Sequence, residues 1–297
     1  MTAVTTTVPA ARATRRGAVR AVLRNKLGVV AVVVLAVMVL VAVFAPLIAP
    51  YDPAAQDLLV RLRPPAWTAA GDSSHLLGTD QLGRDILSRL FYGARISLLV
   101  GACAALLAGV VGAAIGLVAG FLGGWFDRIL MRLADIQLAF PSILLALAIV
   151  GFLGSGLWYV VLVLGFTGWV SYARVIRSEV LSLRTRDFVT EARAIGVGDL
   201  TIMRRHLLPN VMAPLATIGT LHVAAAIVAE ASLSYLGLGV PKQTVTWGGM
   251  LSDGQLYLGT SWWVAVFPGL ALMITALAVN ITGDVLRDVA DPKAYRS

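Results

Sequence analysis

Charged side chains are scarce in this 297-residue sequence. Asp, Glu, Lys and Arg together make up 13% of the residues, whereas hydrophobic residues make up 58%. A soluble domain typically carries about twice that share of charge, because its surface must be hydrated. The composition therefore predicts a membrane protein and excludes an ordinary soluble domain.

Cysteine, histidine and lysine are also few, and each scarcity excludes a kind of site. The single cysteine, Cys103, cannot form a disulfide within the chain, and its apolar neighbours favour a packing role. The three histidines, His75, His206 and His222, do not have the spacing of metal ligands. None of the three lysines belongs to a Gly-x-x-x-x-Gly-Lys-Ser/Thr phosphate loop, and no nucleophile–base pair is visible. We therefore expect no catalytic, cofactor-binding or metal-binding residue, and a chain that is not an enzyme by itself.

Long uncharged runs dominate what is present. They cover residues 27–51, 96–126, 136–173, 211–229 and 254–283. A helix needs about 20 apolar residues to cross a bilayer, and the longest run is divided by Gly154-Ser155-Gly156. Pro141 is expected to kink the helix that contains it, because a proline ring clashes with the preceding turn. The sequence thus predicts an all-α membrane protein with six transmembrane helices, at 27–48, 94–120, 129–153, 157–177, 211–234 and 263–285.

The positions of Lys and Arg predict how these helices are oriented. With the N-terminus inside, the cytoplasmic segments hold eighteen basic residues and the outer segments hold six. We interpret the basic N-terminal tail as an orientation signal beside anionic lipid rather than as a nucleic-acid-binding arm. The predicted organisation is a cytoplasmic tail (1–26), a first helix with an outer segment (27–92), a core of five helices (93–286) that contains a cytoplasmic loop (178–210), and a cytoplasmic C-terminus (287–297).

A ridge of small residues marks the second predicted helix. Gly112, Gly116 and Gly120 repeat at four-residue spacing, and Ala105 and Gly109 extend the ridge. Small residues let helix backbones approach closely in lipid, where there is little hydrophobic drive between helices. The ridge therefore predicts a helix-packing surface.

A polar segment, residues 174–210, interrupts the apolar runs and parses into a helical hairpin. We expect Asp187 to cap the first short helix and Gly196 to end it in the left-handed conformation. Asp199 is expected to cap a second helix that ends before Pro209. On these residues alone, both an amphipathic surface loop and a docking element remain open.

Four stretches together resemble a known family. The polar segment contains Glu191-Ala192, Gly196 and Leu208-Pro209. Residues 75–90 read His-Leu-Leu-Gly-Thr-Asp-Gln-Leu-Gly-Arg-Asp-Ile-Leu-Ser-Arg-Leu. Residues 230–239 read Glu-Ala-Ser-Leu-Ser-Tyr-Leu-Gly-Leu-Gly, and residues 283–292 read Gly-Asp-Val-Leu-Arg-Asp-Val-Ala-Asp-Pro. These stretches are similar to the permease subunits of ABC importers of the dipeptide and oligopeptide type, whose "EAA" loop docks on an ATPase.

The resemblance implies a fold, a location and a set of partners. The fold would be that of a type I ABC importer permease with a cytoplasmic coupling hairpin, in a bacterial inner membrane, with both termini cytoplasmic. The partners would be a second related permease, two cytoplasmic ATPases that hold ATP and Mg, an extracytoplasmic solute-binding protein and membrane lipid, with no nucleic acid and no cofactor in this chain. The implied ATPase-coupling residues are Thr190, Glu191, Ala192, Gly196, Asp199, His206, Leu208 and Pro209. Two depart from the family pattern: Thr190 stands where Glu is usual, and His206 where Ile is usual.

Three ionisable residues in the predicted spans are candidates for the pathway or a gate. A charge at mid-helix costs roughly 2.5–3.5 kcal/mol even on an insertion scale, so such residues are often functional. We expect Asp135 to pair with Arg132 or Arg128, and His222 to be a buried neutral donor or a proton relay. Glu230 would line the pathway or hydrogen-bond across a gate.

The same three residues suggest an alternative function, a self-contained proton-coupled secondary carrier. Such a carrier would need acidic groups clustered at mid-span and inverted repeats, and the sequence shows neither. A purely structural membrane scaffold would leave the polar hairpin without a role.

Overall fold

The computed structural model describes residues 26–241 and 243–290, so the basic tail and the last seven residues lie outside the described part. Within it the chain is helical, with a single isolated bridge between Thr79 and Asp85. The helices are α1 (Lys26–Ile48), α2 (Ile86–Leu122), α3 (Gly124–Leu138), α4 (Ser142–Leu153), α5 (Leu157–Leu183), α6 (Asp187–Ala194), α7 (Asp199–Ile202), α8 (Leu208–Tyr235), α9 (Trp247–Gly254) and α10 (Trp263–Ala290).

Five helical segments of the described residues are long and apolar enough to cross a membrane. They are α1, α2, α5, the continuous segment Asp199–Tyr235, and Trp263–Asp288 within α10. The third predicted helix, 129–153, is wrong as a single helix, because α3 and α4 are bent by 88° at the break. The break falls at Pro141, as the missing amide hydrogen and fixed φ of proline require, but it is far larger than a kink. The count reaches six only if the bent pair crosses as one broken span.

The second span begins eight residues earlier than the predicted residue 94. Asp85 caps α2, since its carboxylate accepts the amide hydrogen of Ser88 at 2.8 Å. The early turns contain Arg89, which looked like part of a polar loop in the sequence but is only 3% exposed. Because Arg89 is buried and paired, it can lie inside the helix. Hydropathy alone placed the start of the helix after this charge.

The packing of α2 on α5 forms the centre of the molecule, and the glycine ridge lies in this seam. A Cβ atom on Gly112 would lie 2.5 Å from the carbonyl oxygen of Trp169, and one on Gly116 would lie 2.6 Å from that of Ala173. Gly120 likewise abuts α5. The prediction of a close helix-packing surface is confirmed.

The two ends of α2 define the two ends of the molecule. At its start lies a segment of turns, residues 49–85, which we call the cap segment; Trp263 of α10 donates its indole hydrogen to the Thr79 carbonyl there, at 3.1 Å. At its finish, Phe121 packs with the buried residues of the hairpin formed by α6 and α7. We refer to these as the cap end and the hairpin end.

Candidate functional site

The hairpin turns at a glycine in a left-handed conformation, as predicted. Gly196 has φ +81° and follows α6 directly. No atom lies within 4 Å of the position that a Cβ would occupy, so the requirement comes from the backbone and not from space. Most side chains are strained at such a φ, whereas glycine adopts it readily.

The two predicted helix caps are wrong by one residue. Arg186 and Gly198 are the N-cap residues, and neither makes a side-chain capping bond. Asp187 and Asp199 are instead the first helical residues. Their carboxylates still lie in the first turn, where they interact favourably with the positive end of the helix dipole.

The second hairpin helix does not end before Pro209, contrary to the prediction. It continues from α7 through a π-helical turn, Met203–Leu207, into α8, so that Asp199–Tyr235 forms one rod. The amide of Leu208 donates to the carbonyl of Met203, five residues back. This wider turn accommodates the proline ring, which would clash with the carbonyl four residues back in a regular α-helix.

The hairpin is attached firmly to the transmembrane helices. One of its faces is buried in a hydrophobic cluster with α2 and α5, through Val189, Ala192, Ile202 and Leu207. The guanidinium of Arg193 lies 4.6 Å from the ring centroid of Phe121, at the end of α2, a favourable cation–π distance. The hairpin therefore has to move together with these helices.

The predicted coupling residues divide between the two faces of the hairpin. Thr190, Glu191, Gly196, Asp199 and Pro209 are exposed. Ala192 is buried, and His206 and Leu208 are half-buried, so these three face the transmembrane helices or the root of the rod.

Two exposed apolar residues at the hairpin tip were missed by the sequence analysis. Ile195 is 81% exposed and Leu200 is 64% exposed, on either side of the Gly196 turn. Their apolar character was the available signal, but without the hairpin geometry nothing distinguished them from buried hydrophobic residues.

Asp135 forms an ion pair, but not with the predicted arginines. Its Oδ1 accepts a hydrogen bond from Arg174 Nη2 on α5 at 2.5 Å, with both side chains about half exposed. Asp127, on the same helix, is held by two nitrogens of Arg177 on α5 at 2.5 and 2.6 Å. Because α3 lies against α5, its carboxylates reach across to that helix rather than along their own.

Glu230 is fully buried near the cap end of α8 and joins three elements. Its carboxylate accepts hydrogen bonds from the hydroxyls of Ser234 at 2.7 Å and of Ser97, on α2, at 3.2 Å. The Ser97 hydroxyl in turn accepts from the amide of Trp247, at the start of α9, at 3.4 Å. Glu230 therefore links α8 to α2 and, through Ser97, to α9, and its role in lining the pathway or in a gate stays a prediction.

His222 lies apart from the two acids, and its role as a buried neutral donor or a proton relay stays a prediction. It is half-buried, and its ring lies 4.5 Å from that of Tyr172, centroid to centroid. Eight residues separate it from Glu230, or about 12 Å along a helix. Asp135 lies on α3, a different helix, and pairs with Arg174 of α5. The three candidates thus have separate partners.

A partly buried cluster of four charges at the cap end was not recognised as a unit from the sequence. Asp80 Oδ2 lies 2.6 Å from Arg84 Nε and 3.0 Å from Arg89 Nη1, although the second contact lacks hydrogen-bond alignment. Asp253 of α9 lies 3.2 Å from Arg84 and 3.4 Å from Arg89. The cluster fastens α9 to the start of α2. Asp253 is more than 160 residues away in sequence, which gives no local signal of the contact.

Comparison with known proteins identifies the family. A profile of the family described as "Binding-protein-dependent transport system inner membrane component" matches residues 112–296, more than half of the chain. The chain belongs to this family. A second profile, "N-terminal TM domain of oligopeptide transport permease C", matches residues 15–65. The chain is therefore a multi-pass permease subunit of an ABC importer, a family that works with an ATPase and a substrate-binding protein.

Individual relatives are similar over almost the whole chain. The dipeptide transport system permease protein DppC of Escherichia coli K12 is 46% identical over 270 residues, covering 91% of this chain and 90% of its own. The di/tripeptide transport system permease protein DppC of Pseudomonas aeruginosa UCBPP-PA14 is 44% identical over 256 residues, covering 86% and 84%. The oligopeptide transport system permease protein OppC of Bacillus subtilis 168 is 39% identical, covering 91% and 86%. The permease resembles the dipeptide and oligopeptide branch, as predicted.

The fold is that of a solved importer. A chain of the MetNI methionine ABC transporter, in an inward-facing conformation, aligns with a TM-score of 0.55 at 20% identity, covering 69% of the permease and 97% of that chain. This likeness confirms the expected type I ABC importer permease fold. The proton-coupled carrier has no support in the geometry or in the relatives.

Proposed function

We propose that this permease imports short peptides and that cytoplasmic ATPases dock on the hairpin. The coupling role is inferred from the difference between the two faces of the hairpin. One face is buried against α2 and α5, while the tip presents Ile195 and Leu200 to solvent. Exposed large apolar side chains on a polar element are typical of a partner surface.

The coupling residues have two distinct roles in this proposal. Thr190, Glu191 and Asp199 are exposed and would contact the ATPase. Ala192 is buried against the transmembrane helices and would transmit the force instead. Gly196 sets the turn between them. The remaining three residues lie where the hairpin joins α8 and would keep the Asp199–Tyr235 rod continuous. They are His206, Leu208 and Pro209.

Closure of the ATPases on ATP would move the hairpin, and the transmembrane helices would follow. Since α7 continues into α8 without a loop, displacement of the hairpin displaces a span directly. Alternation between outward-facing and inward-facing states would then be a rigid-body rocking of packed helices. The permease itself would supply no bond chemistry, with ATP and Mg held by the ATPases.

A second, related permease would cover α8 and complete the pathway. In the most apolar window of the Asp199–Tyr235 rod only 17% of residues are buried, against 56% for α5. The most apolar window of α1 is also only 17% buried, but α1 lies near the N-terminus and its exposed residues can face lipid. The rod is built into the core, so its exposed face fits a protein partner better than lipid.

The peptide substrate is inferred from the relatives, whose names specify dipeptides, di/tripeptides and oligopeptides. A solute-binding protein would deliver the peptide to the cap end, outside the membrane, with both termini of the permease inside. The excess of basic residues in the hairpin and its flanks supports this orientation.

Reconstitution in proteoliposomes tests the proposal. The complex would contain the permease, its related partner, two ATPases and the binding protein, and the measurements would be uptake of radiolabelled Ala-Ala and the ATPase retained on purification. We expect ATP-dependent uptake, and at least a tenfold loss of uptake and of ATPase retention in the double variant Ile195→Ser/Leu200→Ser, because burial of each side chain is worth about 1.5–3 kcal/mol.

Leu27→Ser is the matched control, since Leu27 is 71% exposed at the start of α1, away from the hairpin. Normal uptake by the double variant would contradict docking at the tip. Binding of ATP by the isolated permease would contradict the division of roles between subunits.

A further inference from the structure

Two adjoining cavities along one face of α8 form what we call the groove. A cavity of about 430 Å³ lies among α4, α5, α8 and α10, and a second of about 440 Å³ lies among α5, α8 and α10 nearer the hairpin end. Leu221 lines both, so the two cavities adjoin. From Ser232 to Ala213 the groove follows α8 for about 28 Å, close to the thickness of the hydrocarbon core, about 30 Å.

The part of the groove toward the cap end carries no charge. Its lining is small and apolar, with polar atoms from Ser142, Thr167, Ser232 and Asn280. Such a wall offers hydrogen bonds to a solute but no strong point of attachment for a charged group.

The part toward the hairpin end differs, because it carries one charge of each sign. Glu179 comes from α5 and Arg287 from α10, two helices that each pack against α8. Apolar residues of the rod, such as Pro214 and Ile218, line the groove with them. Within the described residues neither Glu179 nor Arg287 forms an ion pair or a hydrogen bond with another side chain. Both charged side chains line the cavity, so a ligand there can contact both.

We propose that Glu179 and Arg287 form a subsite for a zwitterionic short peptide at the inner mouth of the pathway, an inference that rests on the peptide import proposed above. A peptide with free termini carries an ammonium at one end and a carboxylate at the other. Glu179 accepts hydrogen bonds from the ammonium, and the planar guanidinium of Arg287 can hold the carboxylate through two parallel hydrogen bonds.

The size and exposure of the subsite suit release rather than retention. A cavity of about 440 Å³ falls within the range of small-ligand pockets, which is roughly 300–1,000 Å³. Both charged side chains are exposed, so solvent screens their attraction and the peptide is held weakly. A weak last contact lets the peptide pass into the cytoplasm while still favouring solutes with two free termini.

The test uses three peptides on the purified complex of both permeases and the ATPases, without binding protein and without nucleotide. Equilibrium dialysis compares Ala-Ala with N-acetyl-Ala-Ala, which lacks the ammonium, and with Ala-Ala-amide, which lacks the carboxylate. We expect each blocked peptide to bind about two- to fivefold more weakly than Ala-Ala, the scale for loss of one solvent-exposed charge contact.

Variants assign each terminus to its residue. Glu179→Gln should remove the preference for Ala-Ala over the acetylated peptide and keep the preference over the amide, and Arg287→Gln should do the reverse, as in a double-mutant cycle. Asp288→Asn and Arg132→Gln are matched controls, because both residues are exposed and do not line the groove. Both controls should keep both preferences.

Equal or undetectable binding of the three peptides to the wild-type complex overturns the subsite, as does retention of both preferences in both variants. If a neutral variant fails to assemble, the wild-type comparison still decides. Uptake of Ala-Ala by the full complex would leave peptide import standing in those cases. Failure of the full wild-type complex to take up Ala-Ala would overturn peptide import, and the subsite with it.

Discussion

At the scale of single residues, the cap end depends on charges that are mutually compensated. Asp80 and Arg89 are each 3% exposed, and two arginines share two carboxylates there. Removing one partner leaves an uncompensated buried charge, which destabilises a protein far more than replacing both partners with apolar residues. The cluster is therefore sensitive to the loss of any one member.

Asp80→Asn should destabilise the permease by about 3 kcal/mol, at the lower end of the cost of breaking a buried pair. Asparagine keeps an acceptor for the amides of Leu82 and Arg84, which Asp80 now binds at 2.8 and 3.0 Å, so the change isolates the charge. The thermal melting temperature of the detergent-solubilised permease measures the effect. Asp52→Asn is the control, because Asp52 is exposed and accepts only a local amide. Equal melting of the two variants would show that the cluster contributes no stability.

Gly196→Val should uncouple transport while leaving membrane insertion intact. A β-branched residue at φ +81° stores roughly 1–3 kcal/mol of strain, too little to expel the spans but enough to misplace the hairpin. We expect normal membrane levels, reduced Ala-Ala uptake and weaker ATPase association.

Two further variants should have smaller effects than Gly196→Val. Gly196→Asn should be milder, since asparagine tolerates the left-handed region. Glu191→Ala should also do less than the valine, because the neighbouring Thr190 is exposed as well and can share a polar contact. Normal uptake with valine at position 196 would mean that the hairpin is a passive loop.

At the scale of elements, the seam between α2 and α5 leaves no room for side chains. Gly116→Leu should push the two helices apart, because even a Cβ would lie 2.6 Å from a backbone carbonyl. We expect loss of folded permease in size-exclusion chromatography. Gly151→Leu is the matched control in α4, where no atom lies within 4 Å of the added Cβ. A monodisperse Gly116→Leu variant would contradict the close seam.

Hydropathy and residue spacing predicted most of these elements, and the failures have physical causes. The glycine ridge and the Gly196 turn follow from local rules that hold regardless of the rest of the fold. The bend at Pro141 and the continuation of the Asp199–Tyr235 helix across Pro209 do not follow from local rules. Proline breaks the helix in the first case and is absorbed by a π-helical turn in the second, and tertiary packing decides between the two outcomes.

At the scale of the whole molecule, the proposed orientation can be tested by cysteine labelling. In a Cys103→Ala background expressed without the ATPases, Leu59→Cys and Leu256→Cys should react with an impermeant thiol reagent in intact cells, and Leu200→Cys should react only after lysis. All three positions are well exposed, at 93%, 84% and 64%, whereas nearby Met250 is buried and unsuitable. Labelling of position 200 in intact cells would invert the topology.

The functional surfaces were only partly predictable because they are assembled from distant residues. The hairpin is local, and its motif pointed to it directly. The charge cluster joins Asp80 to Asp253, and the groove joins Glu179 to Arg287, across more than a hundred residues in each case. Without an alignment, sequence periodicity carries no information about such contacts.

The unbroken rod makes events at the two surfaces of the membrane thermodynamically reciprocal. Its 37 residues span about 55 Å, from Asp199 in the hairpin to Tyr235, about one turn beyond the buried Glu230. If ATPases dock on the hairpin as proposed, a ligand at the cap end that changes nucleotide affinity by some factor will have its own affinity changed by that same factor when nucleotide binds.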